Sequence, residues 1–147
     1  MIQDESNDNI KEILKKIDTI AIVGASNKPE RDSFKVMQFL IERGYKIFPI
    51  NPNLQNKTIL NQKCLSSLNM VDKKIDMVDI FRQKDAVMEI TKEAIDIGAK
   101  VLWTQLNVVD YEAAEIAEKA GLKVIMNRCP KIELFRPFWK PRLDLNI

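Results

Sequence analysis

The stretch that decides the fold runs from residue 20 to residue 52 and reads IAIVGASNKPERDSFKVMQFLIERGYKIFPINP. A short apolar run ends at Gly24, a polar loop follows, and the next segment carries apolar residues at helical spacing until Gly44. A second apolar run closes the stretch at Asn51-Pro52. Strand, glycine, loop, helix and strand in this order predict a βαβ unit whose loop holds a phosphate group.

The remaining chain repeats this alternation of apolar runs and helical segments. Strands are predicted at 19–23, 45–50, 76–81, 100–103 and 123–126. Helices are predicted at 6–16, 33–43, 85–97 and 110–120, with Asp32 or Ser33 as the N-cap of the second helix. Residues 62–65 fit a minor strand or turn, and a one-turn helix is expected at Ser66. The alternation predicts one doubly wound α/β domain with a parallel sheet, three layers α/β/α and a leading N-terminal helix.

We expect this domain to span residues 1–147, with a core at about 18–133 and a tail at 134–147 that wraps the surface. Its net charge of +2 argues against a general nucleic-acid binder, and no apolar run approaches the ~20 residues of a membrane span. The N-terminus has no signal-peptide pattern, so a cytoplasmic location is expected. The two cysteines, Cys64 and Cys129, have no metal-ligand spacing, and no metal site is predicted.

The chain contains no histidine, which excludes Ser-His and Cys-His catalysis and histidine-ligated metal sites. Asp76 and Asp79 on the third strand suggest a phosphoacceptor at first sight, but a receiver domain also needs an acidic pair after the first strand. Gly24-Ala25 stands there instead. Phosphorelay is therefore excluded, and no catalytic residue is predicted.

The loop after the first strand has the groups that a phosphate requires. Gly24 permits a tight turn, Ser26 and Ser33 offer hydroxyl groups, and the helix that follows offers free N–H groups. Positive charge comes from three residues of the loop and the first helical turn: Lys28, Arg31 and Lys35. A solvated loop whose cations face water is the alternative.

The residue at the end of the second strand distinguishes between ligands. A site for NAD has an acidic residue there, which accepts hydrogen bonds from the ribose, and it has two further glycines in the loop. This chain has Asn51 and a single glycine, so NAD is disfavoured. A neutral side chain tolerates a phosphorylated ribose, as in coenzyme A (CoA), although NADP also satisfies these arguments.

Four ordered blocks carry a family resemblance: IVGASNKPERDSFKVMQFLIERGYKIFPINP, DMVDIFR, VLWTQLNV and AGLKVIMNRCPKIE. Over residues 20–133 the chain resembles the small stand-alone CoA-binding proteins, which are similar to the CoA-binding domain of succinyl-CoA synthetase α subunits and ADP-forming acyl-CoA synthetases. The resemblance implies a Rossmann-like sheet of five strands with CoA as ligand. The residues implied at the phosphates are Gly24, Ala25, Ser26, Arg31 and Ser33. Those implied beside the adenosine are Asn51, Pro52, Phe81 and Arg82, and those near the pantetheine arm are Trp103 and Gln105, with Arg128-Cys129 at the end of strand five.

Two positions depart from the family pattern. Asn127 stands where Asp is usual before Arg-Cys, and Asn107 stands where Gly is common. The first departure weakens any proposal of proton transfer by a carboxylate at that position.

Three side chains have a structural reading beside the functional one. Asp85 can simply be the N-cap of its helix, Trp103 can be a core residue, and Cys129 is best explained as an inert half-buried residue, although a disulfide with CoA is conceivable. We therefore expect a protein that binds CoA or acyl-CoA without catalysis of its own. The alternatives are an NADP-dependent oxidoreductase and an accessory subunit of a CoA ligase, and a protein partner or a homodimer is possible.

Overall fold

The structure, a computed structural model, describes residues 7–134 and the side chains of residues 9–133. Its main sheet contains five parallel strands in the spatial order β2-β1-β5-β6-β7. In chain order these are β1 Thr19–Val23, β2 Lys46–Ile50, β5 Met77–Ile80, β6 Val101–Thr104 and β7 Lys123–Ile125. Two short antiparallel strands, β3 Thr58–Ile59 and β4 Gln62–Lys63, form a separate hairpin. The predicted five-stranded Rossmann-like α/β fold is confirmed.

The strand order reverses beside β1. The chain passes from β1 outward to β2 and then returns to β5 on the other side of β1. In an open parallel sheet such a reversal leaves a crevice beyond the carboxyl ends of the strands, because the flanking connections diverge to opposite faces. The loop after Val23 therefore lies where ligands of this architecture bind.

Within the described residues, five α-helices cover the two faces of the sheet. They are α1 Asn7–Lys16, α2 Asp32–Glu42, α3 Lys84–Asp96, α4 Tyr111–Lys119 and α5 Pro130–Leu134. Apolar side chains of α1 and α2 share one buried cluster with Met77 and Trp103, while those of α3 and α4 share another with Val78 and Leu102. Alternate residues of a strand face opposite sides, so the two clusters are the two interfaces of a three-layer α/β/α domain.

The leading helix is part of the core. Ile10 and Leu14 are fully buried, and the Tyr45 hydroxyl donates a hydrogen bond to the backbone carbonyl of Leu14. Burial of two such side chains contributes about 3–6 kcal/mol in transfer free energy, so α1 is held to the sheet by packing.

The predicted N-caps of α2 and α3 were wrong by one or two residues. Arg31 is the N-cap of α2 and Asp32 lies in its first turn, while Gln83 is the N-cap of α3 and Asp85 lies in its first turn. Acidic residues are favoured by the helix dipole throughout the first turn, so they do not mark the cap itself. The one-turn helix expected at Ser66 is a 3₁₀ helix at Leu68–Met70, and a second one covers Pro52–Leu54. Of the tail predicted at 134–147, Leu134 ends α5, and the rest lies outside the described residues.

Candidate functional site

Gly24 is required by the close approach of two strand ends. Its φ is +92°, and a Cβ atom there would lie 2.4 Å from the backbone oxygen of Phe81. The N–H groups of Gly24 and Ala25 both donate to the carbonyl of Ile50, at 2.9 and 3.2 Å. These two N–H groups are therefore used within the protein, and a bound anion would have to find its donors further along the loop.

The later part of the loop offers such donors. The Ser26 hydroxyl oxygen accepts from the N–H of Lys28 at 3.1 Å, which leaves its own proton free to donate. No described side chain caps α2, so the N–H groups of its first turn have no side-chain acceptor. Lys28 and Arg31 are exposed, whereas Ser33 is buried. The structure thus brings hydroxyl, N–H and cationic groups together at the start of α2.

Asn51 links the end of β2 to this loop. Its side-chain nitrogen donates to the carbonyl of Ala25 at 2.8 Å, and its side-chain oxygen accepts from the N–H of Asn53 at 2.9 Å. An aspartate could accept the second bond but could not donate the first. The Asn51 amide therefore has a structural role, in addition to being a neutral group that tolerates a phosphorylated ribose.

A first cavity of about 430 Å³ opens between the ends of β1 and β2 and the start of α3. Asn51, Pro52 and Arg82 line it together, as the resemblance implies. The aliphatic part of Arg82 also lies against Gly24, because a Cβ there would be 3.1 Å from its Cδ atom. The cavity therefore has a guanidinium group near the glycine of the loop.

Acidic side chains also line this cavity. Glu89 and Glu93 line it from α3, with Ser66 and Ser67 from the loop before the second 3₁₀ helix. Burial raises the pKa of Glu93, and the neighbouring carboxylates of Glu89 and Asp96 raise it further. The first cavity thus contains a cation together with hydrogen-bond acceptors.

A second cavity of about 370 Å³ lies on the other face of the sheet, between α2 and α5. Phe81 and Gln105 line it at the strand ends, and Cys129 and Ile132 line it from α5 and the segment before it. Phe81 was expected beside the adenosine together with Arg82, but the structure places the two in different cavities. Asp32 and Lys35, at the start of α2, also line the second cavity. The loop and first turn at 24–35 therefore connect the two cavities.

A buried carboxyl group stands behind the second cavity. Asp79 lies in the middle of β5 with no exposed surface, and burial raises its pKa well above the usual range. When this carboxyl group is ionised, the Gln105 amide nitrogen donates to both of its oxygens, at 2.8 and 3.2 Å, in the amide orientation that then satisfies hydrogen bonding. Gln105 thus links the second cavity, which it lines, to the buried carboxyl group of Asp79.

Trp103 is a core residue in the structure. It has no exposed surface, and its indole N–H donates to the carbonyl of Arg128 at 2.7 Å. The Arg128 guanidinium in turn pairs with buried Glu133 at 3.4 Å. Trp103 therefore fixes the chain before α5 and has no exposed surface with which to contact a ligand. Although it was expected near the pantetheine arm, it could act there only through the segment that it holds in place.

The two departures from the family pattern contact each other. The N–H of Asn107 donates to the side-chain oxygen of Asn127 at 2.6 Å, and their φ angles are +68° and +64°. Asparagine is among the few non-glycine residues that tolerate this region, which explains why it can replace glycine at position 107. The pair closes the loop after β6 against the end of β7.

Four residues that line the first cavity have no predicted role in the site: Glu89, Glu93, Ser66 and Ser67. Asp79, which lies behind the second cavity, is discussed in the sequence analysis only as a phosphoacceptor. The spacing of Glu89 and Glu93, four residues apart on one helix that also bears Ala86 and Ile90, could have indicated a shared face toward the cavity.

Comparisons with known proteins identify the family of this chain. Residues 18–134 match the family described as CoA binding domain. The chain belongs to that family. A curated relative, the uncharacterized protein YneT of Bacillus subtilis (strain 168), is 36% identical over 131 residues, which cover 89% of this chain and 96% of that protein.

A solved structure, a hypothetical protein from Pyrococcus horikoshii OT3, is similar with a TM-score of 0.84 and 39% identity, covering 91% of this chain and 95% of that one. The acetate–CoA ligase [ADP-forming] II of Archaeoglobus fulgidus is 31% identical over 118 residues. These cover 72% of this chain but only 17% of the ligase. The family is thus shared by stand-alone proteins and by a small part of a large ligase.

Two further observations concern the described residues, 7–134. None of their helices is long and apolar enough to cross a membrane. No group of three or more histidine, cysteine or acidic side chains among them could hold a metal ion.

Proposed function

We propose that the chain binds CoA, with the two ends of the ligand in the two cavities and its diphosphate at the loop that connects them. The observation that carries this proposal is the pair of cavities on opposite faces of the sheet, joined by residues 24–35. CoA is an elongated molecule with a diphosphate between two dissimilar ends, so it matches this arrangement. Membership of the CoA-binding domain family supports the same ligand.

The adenosine end fits the first cavity. Arg82 would pair with the 3′-phosphate of the ribose, and Glu89 and Glu93, which line the same cavity, would accept hydrogen bonds from the amino group of adenine. A phosphate among those glutamates would meet like charge, which favours this direction over the reverse. Asn51 holds the loop in place beneath the ribose through its bond to Ala25.

The diphosphate fits the start of α2. The Ser26 hydroxyl, the uncapped first-turn N–H groups and the exposed cations Lys28 and Arg31 supply donors and positive charge there. The pantetheine arm would then pass Phe81 and enter the second cavity toward Gln105.

The proposed role is binding without turnover by this chain alone. The sequence has no histidine, and the buried carboxyl of Asp79 is hydrogen-bonded to Gln105. Without a histidine, the Ser-His and Cys-His pairs that commonly carry acyl transfer are not available to this sequence.

Calorimetric titration with CoA, dephospho-CoA, NADP and NAD tests the proposal. We expect CoA to bind most tightly and NAD not to bind, because Asn51 offers no carboxylate to the ribose of NAD. Binding should raise the melting temperature progressively with CoA concentration. An unshifted melting curve with millimolar CoA, together with a shift by NADP, would favour the oxidoreductase alternative.

A second candidate is an accessory role beside a ligase. The relatives include acetate–CoA ligase [ADP-forming] I subunit alpha of Pyrococcus furiosus, of which this chain covers 26%. Leu106 and Ile132 at the rim of the second cavity are 50% and 48% exposed, which suits a partner that approaches the acyl end of the ligand. Co-purification with CoA present and absent tests this role, and a partner retained only with CoA would support it.

A further inference from the structure

Cys129 is a buried thiol-bearing residue at the wall of the second cavity. It is 7% exposed, it lines the cavity, and it is a free cysteine. Among residues 9–133, no group forms a hydrogen bond with its sulfur atom. The sequence alone favours an inert residue at this position, whereas the structure places Cys129 beside a space that a ligand can fill.

Hydrogen bonds on both sides of Cys129 fix its position. The N–H of Arg128 donates to the carbonyl of Thr104 at 3.2 Å, and the carbonyl of Arg128 accepts from the indole N–H of Trp103 at 2.7 Å. The carbonyl of Cys129 accepts from the N–H of Glu133 at 3.0 Å. The cysteine is therefore part of a backbone segment that β6 and α5 hold in place.

The second cavity links this cysteine to the proposed diphosphate site. Asp32 and Lys35, at the start of α2, line the same cavity of about 370 Å³ as Cys129. The pantetheine arm of CoA ends in a thiol, so an arm that leaves the start of α2 and fills this cavity brings a second sulfur atom to Cys129. Membership of the CoA-binding domain family points to such a ligand independently of the cysteine.

We infer that Cys129 is a modification site that forms a mixed disulfide with CoA by exchange with CoA disulfide, the oxidised dimer of CoA. This inference rests on the proposed function, in which the second cavity receives the pantetheine arm. The Cys129 thiolate attacks one sulfur atom of the bound disulfide, so the bond between Cys129 and CoA forms while the bond between the two CoA sulfur atoms breaks. The second CoA leaves as a thiolate and takes up the proton that the Cys129 thiol has released. The Cys129 sulfur is thus oxidised and the leaving sulfur is reduced.

The leaving half of the disulfide needs a way out of the cavity. Leu106 and Ile132, which also line the cavity, are 50% and 48% exposed, so the cavity opens to solvent beside them. One CoA of the disulfide can therefore occupy the site while the other extends outward.

Cys64 does not share these features. It is fully buried, it lines neither of the two cavities, and its sulfur atom lies 3.8 Å from the carbonyl oxygen of Asn51. Burial raises the pKa of the Cys64 thiol, which reduces the fraction of the reactive thiolate. Binding of CoA disulfide raises its local concentration only at Cys129, so the reaction should be selective for this residue.

The experiment follows the intact mass of the reduced protein after addition of about 0.1 mM CoA disulfide at about pH 8, where thiols react readily. We expect one CoA for each chain, located on Cys129 by peptide mapping and removed by dithiothreitol. Pantethine, the disulfide of two pantetheine arms, has the same reactive sulfur atoms without the nucleotide. At equal concentration it should react at least about tenfold more slowly, because a local concentration on the order of millimolar is then lost.

A competitor and two variants show whether the binding site directs the reaction. Desulfo-CoA in excess, which has no sulfur atom, should slow the modification by CoA disulfide. Cys129→Ser should acquire no CoA and should still bind CoA in calorimetry, whereas Cys64→Ser, the matched control, should acquire CoA at the wild-type rate. Modification at Cys64, or equal rates with CoA disulfide and pantethine without protection by desulfo-CoA, would overturn the inference.

The outcomes also separate this inference from the proposed function. A wild type that binds CoA in calorimetry but is not modified by CoA disulfide would overturn the inference and leave CoA binding intact. A wild type that binds neither CoA nor desulfo-CoA would overturn the proposed function and the inference with it. If Cys129→Ser does not fold, the peptide map of the wild type and its protection by desulfo-CoA decide.

Discussion

The side-chain amide of Asn51 donates a 2.8 Å hydrogen bond to the carbonyl of Ala25, so one residue at the end of β2 holds the loop that follows β1. The same side chain accepts from the N–H of Asn53 and begins the 3₁₀ helix at Pro52–Leu54. The position that distinguishes ligands in this architecture is thus also a structural joint between two strand ends.

The first prediction concerns this joint. Asn51→Asp keeps the acceptor for Asn53 but replaces the donor to Ala25 with an oxygen that faces another oxygen. We expect a loss of about 1–3 kcal/mol in the free energy of unfolding, measured by urea denaturation, and weaker CoA binding. Asn53→Asp is the control, since it adds the same charge nearby and removes no side-chain bond described for Asn51. Equal unfolding midpoints for the two variants would contradict the role of the Asn51 amide.

The second prediction concerns Gly24, for which the chain offers a matched control. Gly24→Ala places an alanine at a φ of +92° and brings its Cβ to 2.4 Å from the backbone oxygen of Phe81. Gly121→Ala places an alanine at a φ of +95° with no atom within 4 Å of the new Cβ. The conformational strain alone should cost about 1–2 kcal/mol in each variant, so any further loss in Gly24→Ala measures the contact.

Gly24→Ala should unfold at clearly lower urea concentration than Gly121→Ala and should lose CoA binding, because the strand ends must separate to admit the methyl group. Comparable stability of the two variants would mean that the segments after β1 and β5 can separate at little cost. The measurement needs only denaturation curves and one titration for each variant.

Residues 81 and 82 show how far the sequence could predict the site. The strand predicted at 76–81 and the loop after Gly24 follow from local patterns, and the structure contains both, with the strand at Met77–Ile80. The family resemblance nevertheless implies Phe81 and Arg82 in one subsite, although consecutive residues of an extended chain point to opposite faces. That alternation separates them into two cavities and was available from the sequence alone.

The contact between Asp79 and Gln105 was not available in this way. The two residues are far apart in the chain and meet only because β5 and β6 are neighbours in a particular register, with Asp79 beside Trp103. No local pattern shows which side chain satisfies a buried carboxyl group. Such a partner follows from strand pairing, and therefore from the tertiary structure.

The third prediction concerns Arg31, an exposed cation at the start of α2. Its side chain makes no capping bond, so Arg31→Ala should leave the unfolding midpoint nearly unchanged. A charge-assisted bond to the diphosphate is worth ~1.5–3 kcal/mol, so CoA affinity should fall about ten- to hundredfold. Lys46→Ala is the control, because it removes the same charge at the amino-terminal end of β2, away from the loop that follows β1. Equal CoA affinity in the two variants would show that Arg31 simply faces water.

The fourth prediction concerns the 3′-phosphate of CoA. If Arg82 pairs with it, dephospho-CoA should bind more weakly than CoA by about 1.5–3 kcal/mol, and added salt should narrow the difference. Arg82→Ala should remove most of that difference while it leaves the affinity for dephospho-CoA nearly unchanged. Equal affinities of the wild type for both ligands at low salt would mean that the adenosine end lies elsewhere.

The fifth prediction concerns the pH dependence of stability. Burial raises the pKa of Asp79 in the folded protein well above 3.8, its ordinary value. Between these two pKa values the folded state holds a proton that the unfolded chain has released. The contribution of Asp79 to stability is therefore complete below about pH 4, falls as pH rises toward the folded pKa, and is lost above it. In Asp79→Asn this fall should be absent, so the variant should gain stability relative to the wild type as pH rises.

Urea denaturation between pH 4 and pH 8.5 measures both curves, with Asp72→Asn as an exposed carboxylate control. If the difference between Asp79→Asn and the wild type does not change with pH, the Asp79 carboxyl ionises in the folded protein as readily as in the unfolded chain. In that case its bonds to Gln105 offset the burial, and Asp79 is a carboxylate throughout the physiological range.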